Sequence, residues 1–246
     1  MPTDINGKRK VFLDHMGKTM VLTLSNTPKN ILDVESLQAV IGALTSVGDG
    51  VDSIVIAGAG NVAFSYGYDG SCKRIRERDH VRNVYDMGFT ISRMISSMDL
   101  PVFSVVNGYA LGMGLEIALS CDMILATGRS RFGIPDINYG LPSMTGVIST
   151  VQENYGRGVY NRLMTGEIFD AETALGIGML VGIIDGENWL SSGVEYIRKM
   201  NLGILSYYKR ENMKFSQGTN MDRLFLDFYD LEKIKLKELE AFRDTL

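Results

Sequence analysis

Residues 107–116 read Asn107-Gly108-Tyr109-Ala110-Leu111-Gly112-Met113-Gly114-Leu115-Glu116. Pro101 and the apolar, β-branched run at residues 102–106 precede them, and an apolar pattern continues to residue 120. The spacing predicts a buried strand, a glycine turn and a short buried helix over residues 113–120. The glycines let another backbone or a ligand approach closely. The first turn of the helix has N–H groups without intrahelical acceptors, at the positive end of the dipole. Such a terminus can stabilise a developing negative charge, as an oxyanion hole does. Glu116 falls one turn into the helix, where an apolar setting raises a carboxyl's proton affinity. That suits acid–base work; the alternative is a structural glutamate bonded to nearby backbone.

Working outward, residues 101–126 are long enough to span a bilayer. Glu116 near the centre and Asp122 beyond it argue against that, since an acid at bilayer depth costs roughly 2.5–3.5 kcal/mol. Residues 123–127 form the next apolar strand. Upstream, residues 11–15 and 19–25 read as two strands joined by a turn at Met16, Gly17 and Lys18. Val34, Leu37, Ile41 and Leu44 fall at helical spacing, with Asp33 as N-cap. Residues 53–57 form another buried strand, and Gly58, Gly60, Gly67 and Gly70 mark an extended loop. Val81, Val84, Tyr85, Gly88, Ile91 and Ile95 share a helix face. Downstream, helices are predicted over residues 143–155, 171–177, 187–199 and most of 202–246. Strands alternating with helices make this an α/β protein with covered sheets.

The 246 residues carry 25 Lys plus Arg against 29 Asp plus Glu, a net charge of −4. That balance gives no general attraction to nucleic acid or anionic lipid. Hydrophobic residues at 45% supply a large core and exclude disorder. The polar first ten residues contain no apolar segment of the secretory kind. Cys72 and Cys121 make no disulfide framework and suit a reducing cytosol. Only His15 and His80 are present, and glycine is frequent at 27 residues.

Several local patterns read as chemistry and fail on context. Gly58-Ala59-Gly60-Asn61-Val62-Ala63 matches a dinucleotide-binding fingerprint, but residues 64–70 make a poor first helical turn. Ala63-Phe64-Ser65-Tyr66-Gly67 resembles a nucleophile elbow, yet no histidine follows His80. Two histidines and two cysteines, well separated, give no zinc-ligand spacing. Each histidine reads as solvent-facing or locally hydrogen-bonded rather than catalytic. Lys73, Arg74, Arg76, Arg78 and Arg82 form a basic run, either a solvated helix face or a phosphate contact.

A second carboxylate, Asp136, lies in Arg131-Phe132-Gly133-Ile134-Pro135-Asp136-Ile137. Two acids in apolar, glycine-rich surroundings can hold one water between them. Together with Cys121-Asp122 and Met164-Thr165-Gly166-Glu167 followed by Asp170-Ala171, these segments resemble the enoyl-CoA hydratase/isomerase, or crotonase, superfamily. Ala63-Phe64-Ser65-Tyr66-Gly67-Tyr68-Asp69 and Thr27-Pro28-Lys29-Asn30-Ile31-Leu32 are similar to its upstream segments, so that the likeness covers about residues 10–200.

The resemblance implies a spiral of strand–strand–helix turns over residues 1–200. A C-terminal helical region over 201–246 would build a homotrimer or a hexamer of two trimers. It implies an acyl-CoA substrate, with coenzyme A as part of that substrate, no separate cofactor, no metal and a cytoplasmic setting. By position, the backbone N–H groups of Tyr68 and Met113 would hold the thioester oxygen of an enolate. Lys29, Tyr66, Gly67, Asp69, Gly70 and Gly112 would line the CoA and thioester. Glu116 and Asp136 would be the acid–base pair, twenty residues apart as in the hydratases. The departures carry expectations too. Asp136 replaces a glutamate and sits about 1.5 Å further back, one carbon–carbon bond. Met113 replaces a common glycine and is expected to narrow the substrate space. Asn138 and Tyr139 are more polar than usual and point to a polar acyl group or an altered water site. Residues 140–146 lack the usual double glycine, and residues 231–242 lack the usual glycine before the terminal phenylalanine. Hydration and double-bond isomerisation both remain open. So do a CoA-thioester binder without catalysis and a hydrolase or carbon–carbon lyase of the same superfamily.

Overall fold

In the computed structural model, residues 10–26, 28–69 and 77–213 are described, with 211–213 described as backbone alone. Strands β1 (Val11–Met16) and β2 (Thr19–Leu24) form an antiparallel hairpin. Asp33 caps helix α1 (Val34–Thr45): its Oδ1 accepts from the Ser36 N–H at 2.7 Å. The Asp33 carboxylate also takes an ion pair from Lys10 at 2.8 Å, tying the entry strand to the helix.

Three strand–strand–helix units follow. The first is β3 (Ser53–Gly58), β4 (Ala63–Ser65) and α2 (Arg78–Ser97). The second is β5 (Val102–Val106), β6 (Tyr109–Leu111) and α3 (Met113–Ser120). The third runs through β7 (Met123–Thr127), β8 (Arg131–Gly133) and a 3-10 turn (Pro135–Tyr139) into α4 (Ile148–Tyr155) and α5 (Arg157–Met164). Then come β9 (Phe169–Asp170), α6 (Ala171–Gly176), β10 (Gly182–Ile184), α7 (Trp189–Arg198) and α8 (Leu202–Met213). The first strand of each unit joins a six-stranded sheet ordered β1-β2-β3-β5-β7-β10. The second joins a four-stranded sheet ordered β4-β6-β8-β9. Each unit stacks on the last through parallel pairs such as β3 with β5 and β5 with β7.

Alternation along the long strands sorts their side chains. Ile54, Ile56, Val102, Val106, Ile124 and Ala126 face the main core with α1, α2 and α3. Val55, Phe103, Val105 and Leu125 face a second cluster with Val194 and Ile197 of α7. Both faces are covered, which is why these strands read as continuous apolar runs.

The helix predicted over residues 143–155 is only half formed. Residues 143–147 turn instead, because their donors are directed at Glu116, and α4 begins at Ile148. The extended loop around residues 58–70 holds a short strand, β4, whose three residues are too few to show a period. The first part of the predicted helical tail is present as α8; residues 214–246, including 231–242, lie outside the described residues. Among the described residues no helix is long and apolar enough to cross a membrane.

Candidate active site

The site is built where the second unit crosses between sheets. β6 ends at Leu111, and Gly112 turns the chain into α3 with φ +50°. Gly112 N–H donates to the Gly133 carbonyl at 3.0 Å, which joins this turn to the loop carrying Asp136. The Asp136 carboxylate occupies the space that a Cβ on Gly112 would fill. Only glycine permits both the backbone angle and this approach. Glu116 N–H closes the first helical hydrogen bond on the Gly112 carbonyl. Gly112 therefore links the two segments that carry the acids singled out by sequence reasoning, touching the Asp136 carboxylate and accepting a backbone hydrogen bond from Glu116. Asp136 also acts on Glu116 electrostatically.

Glu116 is 2% exposed. Its Oε2 accepts four hydrogen bonds: from Ser143 Oγ (3.0 Å), Met144 N–H (3.0 Å), Thr145 N–H (2.9 Å) and Thr145 Oγ1 (2.8 Å). Burial pushes the carboxyl up to about 7, against the pull of these donors, and Asp136 adds a smaller upward push.

The Tyr68 segment arrives from the preceding unit. Leu32 N–H donates to the Gly67 carbonyl and Asp69 N–H to the Leu32 carbonyl, at 2.8 and 2.9 Å. Tyr68 is the residue opposite Leu32 in this parallel bridge, so its own N–H points off the other side. Gly67 has φ +88°, and a Cβ there would meet the Leu111 carbonyl at 2.7 Å and Met113 N at 3.1 Å. The Tyr68 segment is thus in contact with the N-terminus of α3. Met113 N–H belongs to the first turn, where the helix offers no acceptor of its own. The Met113 side chain is 3% exposed and packs in the core, its methyl group beside Gly88 of α2.

Lys29 Nζ lies 5.2 Å from the centre of the Tyr66 ring, and Tyr66 meets Tyr109 edge-on at 5.2 Å. Burial, with Tyr109 beside it, raises the Tyr66 phenol above its ordinary value, so the ring stays neutral. Asp69 follows at the half-buried end of the segment. Gly70, and Lys73, Arg74 and Arg76 of the basic run, lie outside the described residues. Arg82 forms an ion pair with Asp86 one helical turn away.

Of the two readings given for His80, the hydrogen-bonded one holds: it is buried, and its Nε2 shares a 2.6 Å hydrogen bond with the Tyr68 hydroxyl. Sequence reasoning missed the hydroxyl pair Ser143 and Thr145, although the missing double glycine was the available signal. Asn138 uses its polarity locally: it packs over Gly166 and donates to its carbonyl at 3.3 Å. An open cavity of about 370 Å³ adjoins it, between Pro135 and Tyr139 on one side and Glu167 and Ile168 on the other. The dinucleotide and elbow patterns dissolve. The strand β3 is followed by another strand, β4, and Ser65 Oγ is spent on the Asn30 carbonyl and the Gly67 N–H. Among the described residues no group of His, Cys, Asp and Glu could hold a metal.

The family model for enoyl-CoA hydratase/isomerase matches residues 16–227. A crotonyl-CoA hydratase of Syntrophomonas wolfei is 30% identical over 73% of this chain and 71% of its own length. A short-chain-enoyl-CoA hydratase of Clostridium acetobutylicum is also 30% identical, over 86% of this chain and 83% of its own. An enoyl-CoA hydratase structure from Bacillus halodurans superposes with a TM-score of 0.79 at 21% identity, covering 95% of this chain and all of that one. At that identity the likeness speaks to the fold.

Proposed function

The chain belongs to the enoyl-CoA hydratase/isomerase family, and on that premise we propose that it hydrates an enoyl-CoA or moves its double bond through an enolate held at the N-terminus of α3. The fold is the crotonase spiral, and the family acts on CoA thioesters. The observation that carries the finer reading is the Gly112 turn. It touches the Asp136 carboxylate, accepts the Glu116 N–H on its carbonyl, and adjoins the Tyr68 segment at Leu111 and Met113.

In hydration, one carboxylate takes a proton from water as the water oxygen bonds to C3. The C2=C3 electron pair moves toward the thioester, whose oxygen becomes an enolate. The other acid then protonates C2. Tyr68 and Met113 N–H groups are the proposed enolate donors, each contributing roughly 2.7–4 kcal/mol in comparable sites. In isomerisation a single carboxylate removes a proton from C2 and returns it at C4, so one acid suffices. Lys29, Tyr66, Gly67, Asp69, Gly70 and Gly112 are the proposed CoA and thioester contacts. Coenzyme A enters as part of the substrate. The proposed setting is the cytoplasm, as a homotrimer or hexamer.

The test is incubation with crotonyl-CoA and with a 3-enoyl-CoA in deuterated water, following absorbance and deuterium uptake. Turnover or exchange is expected; neither, with both substrates, overturns the reading for simple enoyl groups. A second reading, CoA-thioester binding without turnover, is favoured by the shorter Asp136 and the fully occupied Glu116 Oε2. Thermal stabilisation by CoA without exchange would select it.

A further inference from the structure

The segment Ser143-Met144-Thr145-Gly146 stands where glycines were expected, and its four donors all converge on one oxygen of Glu116. Two of them are backbone N–H groups, which can donate but never accept. A proton on Oε2 would face both of them. The two hydroxyls are themselves oriented. Ser143 Oγ accepts from Gly146 N–H at 3.2 Å, and Thr145 Oγ1 accepts from Val147 N–H at 3.3 Å. With a lone pair of each hydroxyl engaged, its hydrogen is left for Glu116. The arrangement has two layers: backbone orients hydroxyls, and hydroxyls together with backbone saturate Oε2.

We propose that Ser143 and Thr145 are positioning residues that make Oε2 of Glu116 a permanent acceptor, so that Oε1 is the oxygen that takes up and gives back the proton. The inference rests on the reading of Glu116 as an acid–base group. It adds which atom does the work and which side chains set how tightly the proton is held. The hydroxyls favour the charged carboxylate. Asp136, from the 3-10 turn, has the opposite effect on Glu116, favouring its neutral form. Keeping both influences on one carboxyl poises it between accepting and donating a proton.

The experiment is pH-titrated infrared difference spectroscopy on the whole chain, with Glu116→Gln identifying the Glu116 bands. The variants are Ser143→Ala, Thr145→Val, the double variant and Thr145→Ser. If Oε2 is the carbonyl oxygen of the neutral acid, its C=O stretch lies low in the wild type, because several donors bind it. Each hydroxyl lost should raise that frequency. It should also tighten proton binding roughly tenfold, moving the midpoint up about one pH unit. Thr145→Ser keeps a hydroxyl and should behave as wild type. Should the double variant fail to fold, the two single variants carry the same comparison. An unmoved band and midpoint in both single variants would overturn the proposal, leaving the loop as packing only. The acid limb of the hydration or exchange rate, measured in parallel, separates the two claims. If the infrared midpoint moves and the rate profile does not, the oxygen assignment stands and Glu116 loses its role in the reaction.

Discussion

Glu116 holds a carboxyl whose folded-state proton affinity exceeds that of the unfolded chain, 4.5 rising to about 7. Between those values the folded protein keeps a proton that the unfolded chain has released. Stability from this group is complete below 4.5 and falls as pH rises toward 7, by up to roughly 3 kcal/mol. Glu116→Gln should flatten this slope, which urea unfolding across pH 4.5–8 will read. The same variant should abolish hydration without unfolding the protein. Asp136 poses a question of reach. If the missing methylene limits hydration, Asp136→Glu should raise kcat, by up to ~10²-fold for a ~1 Å correction. A fall in kcat would mean that aspartate is matched to a different reaction.

At the scale of elements, the site depends on two segments approaching more closely than side chains allow. Gly67 meets the Leu111 carbonyl and Met113 N, with a left-handed backbone. Gly67→Ala adds a Cβ into backbone and forces a residue into that conformation. The conformational strain costs about 1–2 kcal/mol, before any steric shift. Urea midpoints should fall accordingly. The kcat should fall further than stability implies, since the displaced segment carries the proposed Tyr68 donor. The hydrogen bond between Tyr68 and His80 ties that segment to the start of α2 and opposes its drift.

At the scale of the molecule, α8 closes the spiral through one buried cation. Lys209 Nζ donates to Asp122 Oδ2 at 2.7 Å, to the Ile95 carbonyl at 2.8 Å and to the Leu100 carbonyl at 3.0 Å. It therefore meets the Ile95 carbonyl in the last turn of α2, where the helix dipole favours positive charge, and a carbonyl of the connection that follows. It also reaches the acid that precedes β7. Lys209→Met leaves Asp122 without its cation and should cost about 3 kcal/mol. Thermal unfolding and limited proteolysis of α8 will show it, and Asp122→Asn in the same chain should recover part of the loss. Ile204, Tyr207 and Tyr208 on the same helix are exposed.

The apolar runs at residues 53–58, 102–106 and 123–127 declared the buried strands, because strands covered on both faces need no polar alternation. Asp33 declared its helix start, and the bounds of α3 followed from a glycine turn meeting an apolar run. The short strands β4, β6 and β8 were hidden. Three residues carry no period, and their pairing is with distant segments. The site divided in the same way. Glu116 and Asp136 were legible as acids out of place in apolar sequence. The sequence also determined where glycine must stand, at Gly67 and Gly112. Only the tertiary structure decided that Asp136 lies against Gly112, that His80 is bound by Tyr68, and that Ser143 and Thr145 serve Glu116 rather than begin a helix. Those contacts join residues 12 to 29 apart in the chain. Their energies come from burial and donor geometry, which no local pattern of residue types encodes.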